Sequence, residues 1–174
     1  MKKFELTNEF ITNMFGTKLF RIRALVEFGD VEAGELGGYV EKESNLGHDD
    51  NAWVYDNAWV YGDAQVSGDA LVYGNARVYG NAWVYGNALV CSDEDYAYAH
   101  GFGSVNRTTT FFRLKDGGVG VRCGCFYGTL AQFRDKIRET HGESAIAEEY
   151  LDLAALMEKR FRRTGNEQKT EEES

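Results

Sequence analysis

The stretch VYDNAW-VYGDAQ-VSGDAL-VYGNAR-VYGNAW-VYGNAL, residues 54–89, decides the fold of this chain. Each six-residue unit begins with valine and carries alanine at its fifth position. Valine suits a short half-buried strand, and Gly or Asp followed by Asn or Asp suits a tight corner. A period of six with these residues is typical of a β-helix in which three units make one triangular coil. Successive coils would stack at about 4.8 Å, the ordinary spacing between strands.

The same register can be extended to residues 36–95, which makes ten units or just over three coils. Leu36-Gly-Gly-Tyr-Val-Glu41 fits it with Leu36 inward, whereas Lys42 and His48 stand where valine is expected. We therefore predict that Lys42 and His48 lie on the rim of the first coil. An array this short needs caps at both ends.

The repeat resembles the bacterial hexapeptide-repeat, left-handed β-helix family. The pattern of that family is an aliphatic residue at the first position, often a glycine at the second, then two variable residues and a small residue. The segment VEAGELGGYVE, residues 31–41, also resembles the start of the β-helix in uncharacterised enterobacterial members. The resemblance implies a left-handed helix and a homotrimer. Tyrosine replaces the usual glycine at the second position of five units.

Residues that flank each inward valine point outward, and a spacing of 18 stacks them into three faces. Face one is the most apolar, and we predict that it is the subunit contact, because a contiguous apolar patch marks an interface. The alternative is that it packs under the chain's own terminal segments. Faces two and three mix aromatic and polar residues, which can stack on a planar ligand or simply on each other. Face one carries Trp53, Tyr55, Leu71, Tyr73, Leu89 and Cys91; face two Trp59, Tyr61, Arg77, Tyr79 and Asp95; face three Gln65, Ser67, Trp83 and Tyr85.

The repeat is flanked by units of a different kind. Residues 1–35 are predicted to form an N-terminal cap with a strand over 18–28, while 7–15 remains ambiguous, with one or two helical turns. Residues 96–163 are predicted to form a ββαα unit, with strands at 108–114 and 119–126 and helices at 129–140 and 145–162. The acidic tail, 164–174, is expected to be disordered. The fold class is thus mainly β.

Composition narrows the function. A net charge of −9 disfavours non-specific nucleic-acid binding. There is no apolar run long enough to span a membrane and no signal-peptide pattern, and three cysteines indicate a reducing compartment, so we expect a cytoplasmic protein. The basic residues of 159–163 can bind an acidic partner or simply be solvated.

Enzymatic chemistry has few candidates. Hexapeptide acyltransferases need a histidine base, and His100 is the only histidine in a suitable place, at the exit of the repeat. No Asp or Glu in the sequence is placed to orient His100. Acyl transfer is therefore an alternative only, and no catalytic residue is assigned. Cys123 and Cys125 lie on one strand, but their spacing is a weak zinc signal, and we expect neither metal nor cofactor.

The segment GFGSVNRTTTFFR, residues 101–113, is the candidate ligand site. Backbone N–H groups behind two glycines, hydroxyls and guanidinium groups are what a phosphate or other anion requires. The alternative is a plain loop followed by a threonine-rich strand. The predicted ligand-binding residues are Ser104, Asn106, Arg107, Thr108, Thr109, Thr110, Phe112, Arg113 and Arg122.

Residues 103–151 resemble the C-terminal segment of small uncharacterised proteins of phage and prophage genomes. Small oligomeric phage proteins include sponges that sequester nucleotide immune signals, so the resemblance implies an anti-defence role. Three hypotheses follow: a non-enzymatic homo-oligomer that binds a small anionic or nucleotide-like ligand, a structural or protein-interaction module that uses the aromatic faces, and an acyltransferase.

Overall fold

The fold is mainly β, with two helices at the C-terminal end. A computed structural model describes residues 1–172, and only the backbone of 166–172. An N-terminal hairpin, β1 (Phe4–Thr12) and β2 (Lys18–Ala24), precedes β3 (Leu36–Val40). Seven two-residue strands follow, and then a sheet and two helices. The short strands are β4 (Trp53–Val54), β5 (Trp59–Val60), β6 (Gln65–Val66), β7 (Leu71–Val72), β8 (Arg77–Val78), β9 (Trp83–Val84) and β10 (Leu89–Val90).

The short strands form a β-solenoid. Strands 18 residues apart pair in parallel, which gives the ladders β4-β7-β10, β5-β8 and β6-β9. Backbone bonds join the layers, such as Tyr55 N–H to the Val72 carbonyl at 2.7 Å. The repeat valines and alanines are fully or almost fully buried. The period of six therefore produces the core, as the sequence predicted.

The first layer departs from the predicted register. Val40 pairs with Val60 and Leu46 with Val66, both at a separation of 20. The inward residues are therefore Val40 and Leu46, and two extra residues precede Val54. The expectation that Leu36 points inward is wrong, since it is 48% exposed.

Asn45 explains how the irregular layer stays bonded. Its backbone N–H turns to the Lys42 carbonyl in a short 3-10 turn, Glu43–Asn45. Its side-chain amide, which is fully buried, instead donates to the carbonyls of Ala64 at 2.8 Å and Gly62 at 3.1 Å. In the next layers a backbone N–H takes this place, for example from Gln65 to Ala82. The amide thus substitutes for a missing backbone donor.

The N-terminal cap extends one ladder of the solenoid. The sheet order is β1-β2-β3-β5-β8, with β1 and β2 antiparallel. The predicted strand 18–28 is shorter, ending at Ala24, and the ambiguous segment 7–15 belongs largely to β1. Phe4 and Phe28 pack edge-on against Trp53, which closes the upper end of the solenoid.

The C-terminal unit has four strands where two were predicted. They are β11 (Tyr96–Phe102), β12 (Arg107–Arg113), β13 (Val119–Cys123) and β14 (Phe126–Thr129), antiparallel in that order. The alternation Tyr-Ala-Tyr-Ala-His over 96–100 is a strand signal that the sequence interpretation overlooked. The unit is therefore ββββαα.

The sheet lies between the solenoid and the helices α1 (Leu130–His141) and α2 (Ala145–Glu172). Phe112 belongs to the solenoid core and Phe111 to the core beneath the helices. Thr129 and Gln132 cap α1 reciprocally. Because α2 continues to Glu172, the predicted disorder differs from the structure over 164–172, while 173–174 lie outside the described residues. Neither helix, within the described chain, is long and apolar enough to cross a bilayer.

Candidate functional site

The strands separate the predicted ligand residues onto two faces of the C-terminal sheet. His100 pairs with Thr108, and Thr110 pairs with Arg122. Directly paired residues share a face, as do residues two apart, so these four side chains point the same way. That face turns toward the solenoid, because Thr110 Oγ1 accepts a hydrogen bond from the backbone N–H of Trp83 at 3.0 Å.

Arg122 is held on an aromatic platform. Its guanidinium carbon lies 4.0 Å from the centre of the Trp83 ring and 4.6 Å from that of Tyr85. Trp83 is itself fixed, since its indole N–H donates to Ser67 Oγ at 2.9 Å. The Arg122 side chain makes no hydrogen bond or ion pair with the residues that the structure describes, and its Nε is buried without a partner. The half-buried guanidinium is therefore oriented without being neutralised.

His100 and Thr108 extend the same face beyond Arg122. His100 Nδ1 lies 2.7 Å from Thr108 Oγ1, and His100 is exposed. The pair lies one step of two residues further along the strands, which is about 7 Å. Gln65, exposed on the neighbouring strand β6, pairs with Trp83. Together they form a corner between sheet and solenoid that offers an aromatic ring, a cation, a hydroxyl and an imidazole.

Four of the predicted residues have structural roles instead. Thr109 and Thr110 are buried, with the Thr109 hydroxyl donating to Cys123 Sγ at 3.2 Å. Phe112 is fully buried in the core. Arg113 donates to the Phe161 carbonyl and to Thr164 Oγ1, both at 3.0 Å, and its Nε is 3.6 Å from buried Asp95. These four residues are not available to a ligand, because the fold already occupies their polar groups or encloses them.

The glycine loop itself is attached to α2. Gly103 N–H donates to Glu149 at 2.7 Å, and Ser104 N–H donates to the Tyr150 hydroxyl at 3.2 Å. Burial raises the pKa of the Tyr150 phenol, so it remains a neutral hydrogen-bonding group. Val105 and Asn106 are exposed with φ of 54° and 46°. A β-branched residue in this region is a strained outlier.

Arg107 stands apart from the corner. It is adjacent to Thr108 and so points to the opposite face of the sheet. Its guanidinium packs directly against Gly124 at the β13–β14 turn. Arg107 also lacks an ion pair with any described residue, so it is a second cation of this end of the sheet but does not adjoin Trp83.

Face one is only partly exposed. Trp53 has no exposed surface and lies beneath the chain's own N-terminal segment, so its assignment to a subunit interface is wrong. Tyr55 and Tyr73 stack in parallel at 4.3 Å between ring centres. Both are half-buried, as are Leu71 and Leu89. Burial raises the pKa of the Tyr55 phenol.

The predicted ligand-binding residues did not include Trp83 or Tyr85, the two rings on which Arg122 rests. Both had been placed on face three, where their mixture with polar residues was the available signal. What it could not indicate is that β12 and β13 cross this face and bring Arg122 onto it. The candidate site is therefore the corner formed by Gln65, Trp83, Thr108, His100 and Arg122.

The structure defines a β-solenoid protein with an α/β cap, and comparison with known proteins agrees for the repeat. Residues 64–78 and 70–86 match the family model described as the YdcK beta solenoid repeat. The match is confined to the solenoid and does not reach the C-terminal sheet. No curated protein matches the chain.

Proposed function

We propose that this protein is a non-enzymatic homo-oligomer that binds a small anionic, nucleotide-like ligand in the corner between Trp83 and the C-terminal sheet. The observation that carries the proposal is the guanidinium of Arg122, which lies 4.0 Å from the Trp83 ring centre without an acidic partner among the described residues. An oriented, half-buried cation beside an aromatic surface suits a ligand with an anionic and a planar part.

The chemistry assigns a task to each group. Arg122 would bind a phosphate or carboxylate oxygen through charge-assisted hydrogen bonds, each worth about 1.5–3 kcal/mol. Thr108 and His100 would donate to the same anion or to a neighbouring hydroxyl. A planar base would stack on the face of Trp83 that Arg122 does not cover, for about 1–3 kcal/mol. His100 is the one general-base candidate in this set, and among the described residues its hydrogen-bond partner is the Thr108 hydroxyl rather than a carboxylate, which favours binding over turnover.

The finer features of the fold belong to the same proposal. We expect a left-handed solenoid of about three coils that associates as a trimer through the remaining residues of face one, Tyr55, Leu71, Tyr73 and Leu89. Their partial exposure supports such a contact. We also propose that the protein is of phage type and sequesters a host nucleotide signal, a role that requires the ligand to be bound and released unchanged.

Tryptophan fluorescence tests the binding site directly. We would titrate the protein with a panel of mono-, di- and cyclic nucleotides and follow the emission of Trp83, using Trp83→Phe to assign the signal. Arg122→Gln should weaken binding at least about tenfold, from the loss of one charge-assisted bond.

Arg21→Gln is the matched control. Arg21 also lies over an aromatic ring, 5.0 Å from the centre of Tyr39, but on the N-terminal cap. Its replacement should change binding less than about twofold. Equal losses in the two variants would contradict the proposed site and indicate a non-specific charge effect. Saturable binding that survives Arg122→Gln would place the ligand elsewhere.

A protein-interaction module is the second candidate, and one observation favours it. Tyr61 and Tyr79 stack at 5.3 Å on face two, and Tyr79 is 43% exposed. On this alternative no nucleotide binds, and Tyr61→Ser or Trp59→Ser disrupts a partner complex while Arg122→Gln does not. Acyl transfer with His100 as base remains the third candidate; it predicts acetyl-CoA turnover that is lost in His100→Gln.

A further inference from the structure

A groove lies between the edge strand β11 and helix α2, away from the corner described above. It encloses about 460 Å³ and is lined by Ala97, Leu156, Met157, Lys159, Arg160 and Arg163. Its floor is apolar, and Leu156 is 60% exposed there. The small side chain of Ala97, on the strand side, keeps the groove open.

The basic residues of the groove have no carboxylate partner among the described side chains. Arginines and lysines elsewhere on the described part of the two helices have carboxylate partners: Arg134 and Arg162 pair with Glu158, Lys136 with Glu139, and Arg138 with Asp135. Lys159, Arg160 and Arg163 make no ion pair within the described chain. Three positive charges within five residues repel one another, in a protein whose net charge is −9. An acidic occupant would relieve that repulsion.

The strand that borders the groove has a free edge. In the sheet order β11-β12-β13-β14, β12 is the one strand of the described residues that pairs with β11. The Tyr96 carbonyl points outward, since it accepts a hydrogen bond from Arg160 Nη2 at 3.5 Å. In an antiparallel pair every second residue directs both its N–H and its C=O to the same side. Tyr98 and His100 therefore also point their backbone groups toward the groove.

We infer that this groove binds an extended, acidic segment of a partner protein, which adds as a fifth strand beside β11. Backbone bonds to Tyr98 and His100 would hold the segment, as in other cases of strand addition at a sheet edge beside a helix. Alternate side chains of the segment would be carboxylates that pair with Lys159 and Arg163. An apolar side chain of the segment would cover Leu156. Nucleic acid is the less favoured occupant, because the floor of the groove is apolar.

A displayed library of random octapeptides tests this inference with the full-length protein. We expect the selected peptides to be rich in Asp and Glu and to bind Lys159→Glu/Arg163→Glu at least about tenfold more weakly. Arg160 is left unchanged because it also bonds to Tyr96. The matched control is Arg162→Glu, on the same helix but paired with Glu158, and it should bind within about twofold of the wild type.

Strand addition has its own readout. A selected peptide should slow amide hydrogen exchange at Tyr98 and His100, and N-methylation of its alternate amides should abolish binding. The inference is overturned if selection enriches no peptides or peptides without acidic residues. It is equally overturned if Arg162→Glu loses binding as much as the double variant, or if a single-stranded oligonucleotide competes at the same residues. None of these results depends on the ligand proposed for Trp83.

Discussion

Replacing Asn45 with alanine should destabilise the whole solenoid. The Asn45 side chain is fully buried and provides the donor that the irregular first layer lacks, with its amide 2.8 Å from the Ala64 carbonyl. Its Oδ1 also accepts the Lys42 N–H at 2.9 Å. Alanine leaves the buried Ala64 carbonyl without a donor, which costs about 1–3 kcal/mol, and removes two weaker bonds. We expect the free energy of unfolding to fall by about 2–4 kcal/mol.

Urea denaturation followed by circular dichroism measures this change. The matched control is Asn51→Ala, because Asn51 is exposed and bonds only to Asp69 on the surface. That variant should stay within about 0.5 kcal/mol of the wild type. If Asn45→Ala costs no more than Asn51→Ala, the amide does not complete the ladder and the account of the register shift fails.

Three further predictions concern the solenoid. Gly68→Ala should cost at least about 1 kcal/mol more than Gly74→Ala in urea denaturation, because both have positive φ (72° and 64°) but only at Gly68 would the new Cβ lie 2.8 Å from a backbone nitrogen. Trp53→Ala should lower the free energy of unfolding by about 3–5 kcal/mol, and half-exposed Trp59→Ala by less than half as much; comparable losses would argue against a closed N-terminal cap. Burial lowers the pKa of Lys3 to about 8, so between about pH 8 and 10.4 the unfolded state binds more protons than the folded state. The free energy of unfolding should therefore rise with pH over this range. Lys3→Met should abolish that rise.

The regular part of the fold could be predicted because its information is local. Valine at every sixth position specifies an inward strand residue without reference to the rest of the chain. The first layer could not be predicted in the same way. A strict period of six predicts inward positions at Leu36, Lys42 and His48, whereas the inward residues of the structure are Val40 and Leu46. The two extra residues are possible because the side-chain amide of Asn45 replaces a backbone donor.

The candidate site was predicted only in part, for a similar reason. The composition of 101–113 led to the prediction of an anion site built from hydroxyls and cations, but the alternation of strand residues decides which side chains face a common side. Thr109 is hydrogen-bonded to Cys123, and Arg113 is hydrogen-bonded to residues of α2. Both contacts join residues that are far apart in the chain. The stacking of Arg122 on Trp83 is equally non-local, so neither residue alone could predict the corner.

Native mass spectrometry of the purified protein, before and after incubation with a nucleotide-rich cell extract, tests the central claim most directly. We predict a discrete homo-oligomer, a trimer, that gains a small anionic molecule identifiable by its mass, with the gain lost in Arg122→Gln and retained in Arg21→Gln. An oligomer that gains no mass, or one that gains it equally in Arg122→Gln, would contradict ligand binding at the Trp83 corner.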